Sequence, residues 1–578
     1  MRVSRVRSVR PLLVCGVLAV TSVVALSAIT AIAAVSNDTY VELWSAEDAS
    51  VLDPALAYDA GSGAILENVY ETLVTYKGGD LKNLQPLLAL SWTTSRDKKS
   101  YTFTLRQNVK FHSGNTMTCA DAEYSFKRVL VTNNPESAGW FVSDSLLGTR
   151  SNAKDDKTIT WQRISSAVKC DATGKLVFKL VNVDPAFIAK MAFSVASVME
   201  RKWVVDNGGW SGTERDWKTW AGKKLEDGYP VKNTNGTGAY VLTSLKPDSA
   251  LYMAFADYWG GAPRLKKILA QKVDTEDGRI LAINNGDADS IGIRRVLFSQ
   301  LKQAQVQIID DLPTIGSTFI VMNYNIKDKA QLGSGKLDGK GIPANFFSDV
   351  NVRRCFAHVY DAETIIKEAF LGKGYLPTMA LPRDFLGYDA SVPAPAFDLE
   401  RAKKECQAAW KGAVWKNGFT IRAEYSGGRV PTTVQMLQTN LAKINPKFKF
   451  TPQRIQSSES IKWQDGKGSI FGSGWLPDYL DTDNFMYSIY HSSGYYSTYT
   501  NFKDKQIDAW IDAARQTDDA KVREGLYKQV GRRAAELQPL ILLAESANYA
   551  ILSASIKGYK ENYNPMLSSL VRYKDLYK

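Results

Sequence analysis

Three histidines, His112, His358 and His491, are scattered through 578 residues. A supply that sparse is poor material for a histidine-rich metal site or for a triad in which an imidazole activates a nucleophile. His112 stands at a strand-to-turn junction in FHSGN, His358 on a helix and His491 in a Tyr/Ser-rich stretch, and each reads as structural. Also missing are a GxxxxGK phosphate loop ending in Ser or Thr, a GxGxxG turn after a strand, an HExxH helix and a GxSxG elbow. The best-marked nucleotide, zinc-protease and serine-hydrolase chemistries therefore have no foothold. The net charge of +12 is not gathered into a basic tract, which argues against nucleic acid and for a solvated basic surface. There is no internal repeat and no low-complexity segment.

What is present describes a folded protein. The chain is 44% hydrophobic, 23% charged and 11% aromatic, a composition that excludes general disorder. Its length exceeds one ordinary core, so two or three domains are expected. The N-terminus reads MRVSRVRSVR, then an apolar run from Pro11 to Val35 containing Ala31-Ile32-Ala33, an A-x-A cleavage pattern. That is a secretory signal layout, expected to be cut near Ala33. The run is also long enough to serve as an uncleaved membrane anchor. Removing Arg2, Arg5, Arg7 and Arg10 from +12 leaves +8. Cys15 follows Leu13-Val14, without the small residues of a lipoprotein signal, and no later segment is apolar enough to cross a membrane.

Along the exported part, strands and helices mix. KSYTFTLRQNVKF alternates Tyr101, Phe103 and Leu105 with polar residues, a half-buried strand. In MTCADAEYSFKRVL, Thr118 caps a helix whose apolar face is Ala122, Phe126, Val129 and Leu130. KLVFKLV and FIVMNYN read as strands, and helices start at Ser348 or Asp349 and at Asp398. The pattern predicts a multi-lobed α/β protein.

One stretch concentrates chemistry. FGSGWLPDYLDTDNF places Asp478, Asp481 and Asp483 among glycines and aromatics. Calcium binding would require a glycine-punctuated D-x-[DN]-x-[DN] loop, which is absent. A carboxylate pair for glycoside hydrolysis finds no other support in the chain.

Several segments, in order, resemble the peptide/nickel-binding family of ABC-importer solute-binding proteins, which includes the oligopeptide- and dipeptide-binding proteins. They are LDPALAYDAGSG with VYETLVTY; SWTTSRDKKSYTFTLRQNVKFHSGNTMTCADAEYSFKR; NGTGAYVLTSL; ADYWGGAP with GRILAINNGDADS; and NVRRCFAHVYDAETI. Together they span nearly all of residues 38–578. The resemblance implies an α/β type II periplasmic-binding fold, with two lobes closing by a hinge over a ligand and a subdomain inserted in lobe I. The expected division is a signal or anchor at 1–35; lobe I from 36–75, 215–316 and 529–578; an inserted subdomain at 76–214; and lobe II at 317–528. The four cysteines past the signal allow three pairings. Cys119 with Cys170 and Cys355 with Cys406 are expected, because each pair falls within one proposed domain; buried free thiols are the alternative.

The resemblance also implies roles. In peptide-binding members an aspartate shortly after a tryptophan receives the ligand's α-ammonium group, and GWLPDY puts Trp475 and Asp478 at those positions; the intervening Leu476-Pro477 departs from the family. The physics agrees. An ammonium enclosed in a closed cleft loses its water and needs a charged acceptor, and Trp475 and Tyr479 would supply apolar walls. Arg429, in YSGGRVPTT, resembles the arginine that meets a dipeptide's carboxylate. Backbone-pairing candidates are Ser62, in Gly61-Ser62-Gly63, and Asn323.

The implied protein is an extracytoplasmic, non-enzymatic receptor. It needs no cofactor or metal, is expected as a monomer, takes a small molecule or short peptide, and hands it to membrane permease subunits. It touches the membrane only through the permease or an uncleaved N-terminal segment. The alternatives are a sugar, opine, haem or metal-chelate binder of the same fold, a chemosensory receptor, or a secreted hydrolase.

Overall fold

The computed structural model describes residues 36–44, 51–134, 137–223, 225–425, 431–455 and 467–578. The expected signal segment and Arg429 lie outside these residues.

The first body is built on a seven-stranded mixed sheet ordered 306–312, 548–553, 290–291, 39–44, 267–272, 249–254, 240–246. Thr39–Trp44 sits in the interior of the sheet and runs parallel to Lys267–Lys272, with Thr39 opposite Lys267. Its side chains Tyr40, Val41 and Leu43 are all buried, as suits a strand covered on both faces. Residues from three distant stretches thus meet in one sheet.

A second layer is inserted between these stretches. Ala89–Thr94, Ser100–Leu105, Leu176–Lys179 and Val168–Cys170 form a four-stranded antiparallel sheet. Tyr101, Phe103 and Leu105 are its buried face, as the alternation predicts. The helix Cys119–Thr132 packs on it through Ala122, Phe126, Val129 and Leu130. At its start the Asp121 carboxylate accepts from the Thr118 amide at 2.9 Å and from the Thr118 hydroxyl at 2.7 Å, offsetting the unpaired donors of the first turn. Cys119 is bonded to Cys170, with Cα atoms 6.1 Å apart, joining helix to sheet.

The second body centres on a three-stranded antiparallel sheet ordered 470–475, 317–322, 540–542. Beside it the parallel strands Phe419–Tyr425 and Phe448–Arg454 pair in register from Phe419 opposite Phe448. The helices Val350–His358 and Leu399–Ala408 are capped by Asp349 and Asp398. Cys355 and Cys406 join them, both fully buried. Among the described residues no helix is long and apolar enough to cross a membrane.

Two expected boundaries move. The helix Ala520–Leu537 buries Tyr527, Val530 and Ala534 in the second body, and Leu540–Leu542 pairs with Ser317–Met322. The return to the first body therefore falls after residue 542, not at 529. Residues just beyond 214 remain with the inserted layer, where Trp217 meets Trp161 with ring centroids 6.4 Å apart. The reason is common to both: a chain changes body where its apolar side chains change partners, and a local pattern does not name the partner.

The ordered sequence motifs explain this frame more than any site. Buried Glu71, of VYETLVTY, accepts from Tyr258 at 2.8 Å, Trp259 at 2.8 Å and Thr237 at 2.9 Å. It therefore gathers three motifs at one carboxylate, and its burial pushes its pKa up. A Cβ at Gly236 would stand 2.0 Å from the Val69 carbonyl oxygen, and one at Gly238 2.6 Å from that of Asn68. Only glycine fits there. His112 Nε2 bonds the Gly238 carbonyl at 2.9 Å, and burial lowers its pKa to about 4, so the ring is neutral and structural. Arg353, of NVRRCFAHVY, donates to the carbonyls of Phe347, Ser348, Leu537 and Gln538.

Candidate ligand site between the two bodies

A cavity of about 330 Å³ lies where the first helix, Ala60–Val69, faces the end of strand Ile470–Trp475 and the turn after it. Ala60, Gly63 and Glu67 line it at helical spacing from the first body, together with Tyr58 and Asp59. Ser473 to Asp478 line it from the second, backed by Tyr495 and Tyr496. Phe193 and Ser194 come from the inserted layer, and Met566 and Ser568 from the C-terminal stretch.

Asp478 sits at the seam. It is only 5% exposed. Its Oδ2 accepts from Tyr58 Oη at 2.9 Å and from Asn484 Nδ2 at 2.9 Å, while Oδ1 accepts no hydrogen bond among the described residues. Burial pushes its carboxyl up to about 7, and the bonds from Asn484 and Tyr58 pull the other way. The turn is held by Asn484, whose Oδ1 takes the Trp475 indole N–H at 2.7 Å and the Asp478 amide at 3.0 Å. Trp475 borders the cavity and packs on Tyr495, ring centroids 5.4 Å apart. A carboxyl buried between aromatics, with a vacant oxygen, is suited to receive a cation.

The structure brings Asp478 and Trp475 to this cavity and sends three other candidates elsewhere. Tyr479, in the position adjacent to Asp478, points away from the cavity. It is fully buried, donates to Asp483 at 3.0 Å and packs on Phe141 with centroids 5.4 Å apart. Ser62 is also fully buried; its hydroxyl accepts from the Val51 amide at 3.2 Å, and its helix neighbour Gly63 faces the cavity instead. Asn323 follows a strand that runs antiparallel to Ile470–Trp475, with Ser317 opposite Trp475 and Met322 opposite Ile470. It therefore lies about 20 Å away at the far end, where its amide donates to Gly468 at 2.9 Å. Sequence reasoning missed Tyr58, Asn484 and Tyr495. The aromatic run at 495–499 was a visible signal, but Tyr58 and Asn484 carry none.

The neighbouring aspartates have other work. Asp481 caps the helix Thr482–Tyr490 through the Asp483 amide and pairs with Arg523. Asp483 Oδ1 lies 2.9 Å from Arg515 Nε, an ion pair without hydrogen-bond geometry. No group of three or more metal-binding side chains occurs among the described residues.

A two-body α/β frame with an aromatic-walled cavity edged by carboxylates at the seam defines a binding protein of the two-lobed class. The profile of the bacterial extracellular solute-binding proteins, family 5, matches residues 83–497, and the chain belongs to that family. It is 25% identical over 525 residues to a dipeptide-binding protein of Escherichia coli (strain K12), covering 87% of each chain. It is 27% identical over 548 residues to heme-binding protein A of Haemophilus influenzae, covering 91% of this chain and 90% of that one. The fold matches a periplasmic binding protein DppA from Helicobacter pylori in complex with the peptide STSA, with TM-score 0.74 and 21% identity over 93% of this chain and 98% of that one. It also matches AgaA from A. tumefaciens R10 in complex with agropinic acid, with TM-score 0.71 and 22% identity over 93% and 98%. The fold is the type II periplasmic-binding fold.

Proposed function

We propose that the protein captures short peptides outside the cytoplasm and delivers them to the permease of an ABC importer, without catalysing a reaction on them. The observation that carries this reading is Asp478. It is a buried carboxyl in the seam cavity, bonded by one body through Tyr58 and by the other through Asn484, with one oxygen that accepts no hydrogen bond among the described residues. A free peptide brings an ammonium group that such a carboxyl compensates, and the bond restores charge balance lost on enclosure. Trp475 and Tyr495 wall the same space and exclude water. Relatives named for dipeptides or di- and tripeptides support the reading. Acidic ligands of the agropinic acid kind would meet Asp59, Glu67 and Asp478 in this cavity, which disfavours them.

Thermal unfolding of ligand-stripped protein with a mixed short-peptide pool tests the proposal. Ligand at 100 times Kd adds about 2.7 kcal/mol, read as a rise in Tm. The rise should vanish in Asp478→Asn, a change that keeps the side chain's shape. No rise with the wild-type chain would overturn the peptide reading.

A further inference from the structure

The charged residues lining the seam cavity, among those described, are Asp59, Glu67 and Asp478. All are acids, and they differ in availability. Glu67 is saturated: its two oxygens accept from the Ser568 amide at 2.9 Å, the Ser569 amide at 3.2 Å and the Ser569 hydroxyl at 3.1 Å. It contributes field rather than contact. Asp59 is the N-cap of the helix Ala60–Val69; its Oδ1 accepts from the Ser62 amide at 2.8 Å, its Oδ2 accepts no hydrogen bond among the described residues, and the residue is exposed at the cavity edge. Asp478, on the opposite body, is nine-tenths buried with Oδ1 likewise vacant. Two carboxylate oxygens that accept no hydrogen bond among the described residues thus border one cavity from its two sides, with the faces of Tyr58, Trp475 and Tyr495 around it. Such faces attract cations.

A ligand with one ammonium answers Asp478 alone. We infer that this site selects peptides bearing a second cation, a lysine-, arginine- or ornithine-type side chain, and that Asp59 is the residue that selects them. The inference rests on the peptide reading above and goes further in naming the preferred class. It follows from complementarity: the second cation neutralises the field of Asp59 and Glu67, whereas an acidic side chain is repelled by both.

Calorimetric titration of the full chain with alanyl-alanine, lysyl-alanine, Nε-acetyl-lysyl-alanine and glutamyl-alanine provides the test. The acetylated peptide keeps the lysine's length and removes its charge. Lysyl-alanine should bind about tenfold more tightly than its acetylated form, and glutamyl-alanine most weakly. In Asp59→Asn, where asparagine still caps the helix, the advantage of lysyl-alanine over its acetylated form should vanish. Asp59→Ser, another good cap, serves as the second variant should the first misfold. Binding of alanyl-alanine with no lysine advantage overturns the selectivity and leaves the peptide reading standing. An advantage that survives both variants overturns the role of Asp59. Failure of every dipeptide to bind overturns the peptide reading, and this inference with it.

Discussion

Tyr58 and Asp478 stand 420 positions apart in the chain, yet the phenol of one donates to the carboxylate of the other at 2.9 Å across the seam between the two bodies. The bond orients the carboxyl proposed to accept the ligand's ammonium and ties the bodies together at the same point. Tyr58→Phe removes the donor and keeps the ring. A hydrogen bond to a charged group is worth about 1.5–3 kcal/mol, so peptide affinity should fall roughly tenfold or more by calorimetry. Because the Tyr58 bond lowers the Asp478 pKa, its loss should also move the pH midpoint of binding upward. An unchanged midpoint would mean the bond is not made in solution.

Binding should depend on pH through Asp478. Burial disfavours its charge and pushes the carboxyl up to about 7. A cationic ligand favours the ionised form. Affinity should therefore rise with pH from about 5 to 7 and level off above, with protons released on binding below pH 7. Titrations in buffers of different ionisation enthalpy measure that release, and Asp478→Asn should abolish it.

The same group has a stability consequence of opposite sign. A folded-state pKa raised above the ordinary aspartate value of 3.8 to about 7 makes a contribution that is fully present below about pH 4 and lost as pH rises through 7. Empty Asp478→Asn should thus be more stable than wild type at pH 8, by on the order of a few kcal/mol, and the gain should shrink toward pH 4. Glu67, Asp483 and Glu545 also have raised values, but they are common to both proteins, so the difference between denaturation curves isolates Asp478.

Arg515 joins the second body to the inserted layer. It pairs with Asp144, lies 2.9 Å from Asp483, and stacks 4.8 Å from the centre of the Tyr487 ring, which also carries Arg150 at 3.2 Å. Burial opposes ionisation of Asp144, but Arg150 and Arg515 outweigh it and hold its pKa down at about 2. Arg515→Ala removes one of the two guanidinium groups at Asp144, leaving Arg150, and the one beside Asp483. Breaking a buried pair costs about 3–5 kcal/mol; this arginine is partly exposed, so a loss near or below the lower figure is expected. Small-angle scattering should show a more open empty protein. Unaltered scattering and Tm would show that the contact does not hold the bodies together.

The disulfides Cys119–Cys170 and Cys355–Cys406 each span 51 residues and lie away from the cavity. Chain entropy alone assigns a loop of that length about 4 kcal/mol. The double variant Cys355→Ala, Cys406→Ala should lose about 2–4 kcal/mol in denaturant unfolding while peptide affinity stays within about twofold.

What the sequence determined by itself was the set of elements and the kind of frame. Alternation marked the strand Ser100–Leu105, and Thr118, Asp349 and Asp398 marked helix starts, because those signals are local: a strand side chain alternates faces, and a first turn needs an acceptor. The ordered motifs carried the family because each serves the frame, as Glu71 does when it collects Thr237, Tyr258 and Trp259. Within the candidate site, Asp478 and Trp475 were named through the family resemblance, which stands in one local stretch, GWLPDY. Tertiary structure alone decided the rest. It turned Tyr479 inward, put Asn323 at the wrong end of an antiparallel strand, and engaged Ser62 with Val51. It also brought Tyr58 and Asp59 to a carboxylate more than 400 positions away. A cavity formed where two bodies meet belongs to pairings of distant segments, and no local period encodes which faces will meet.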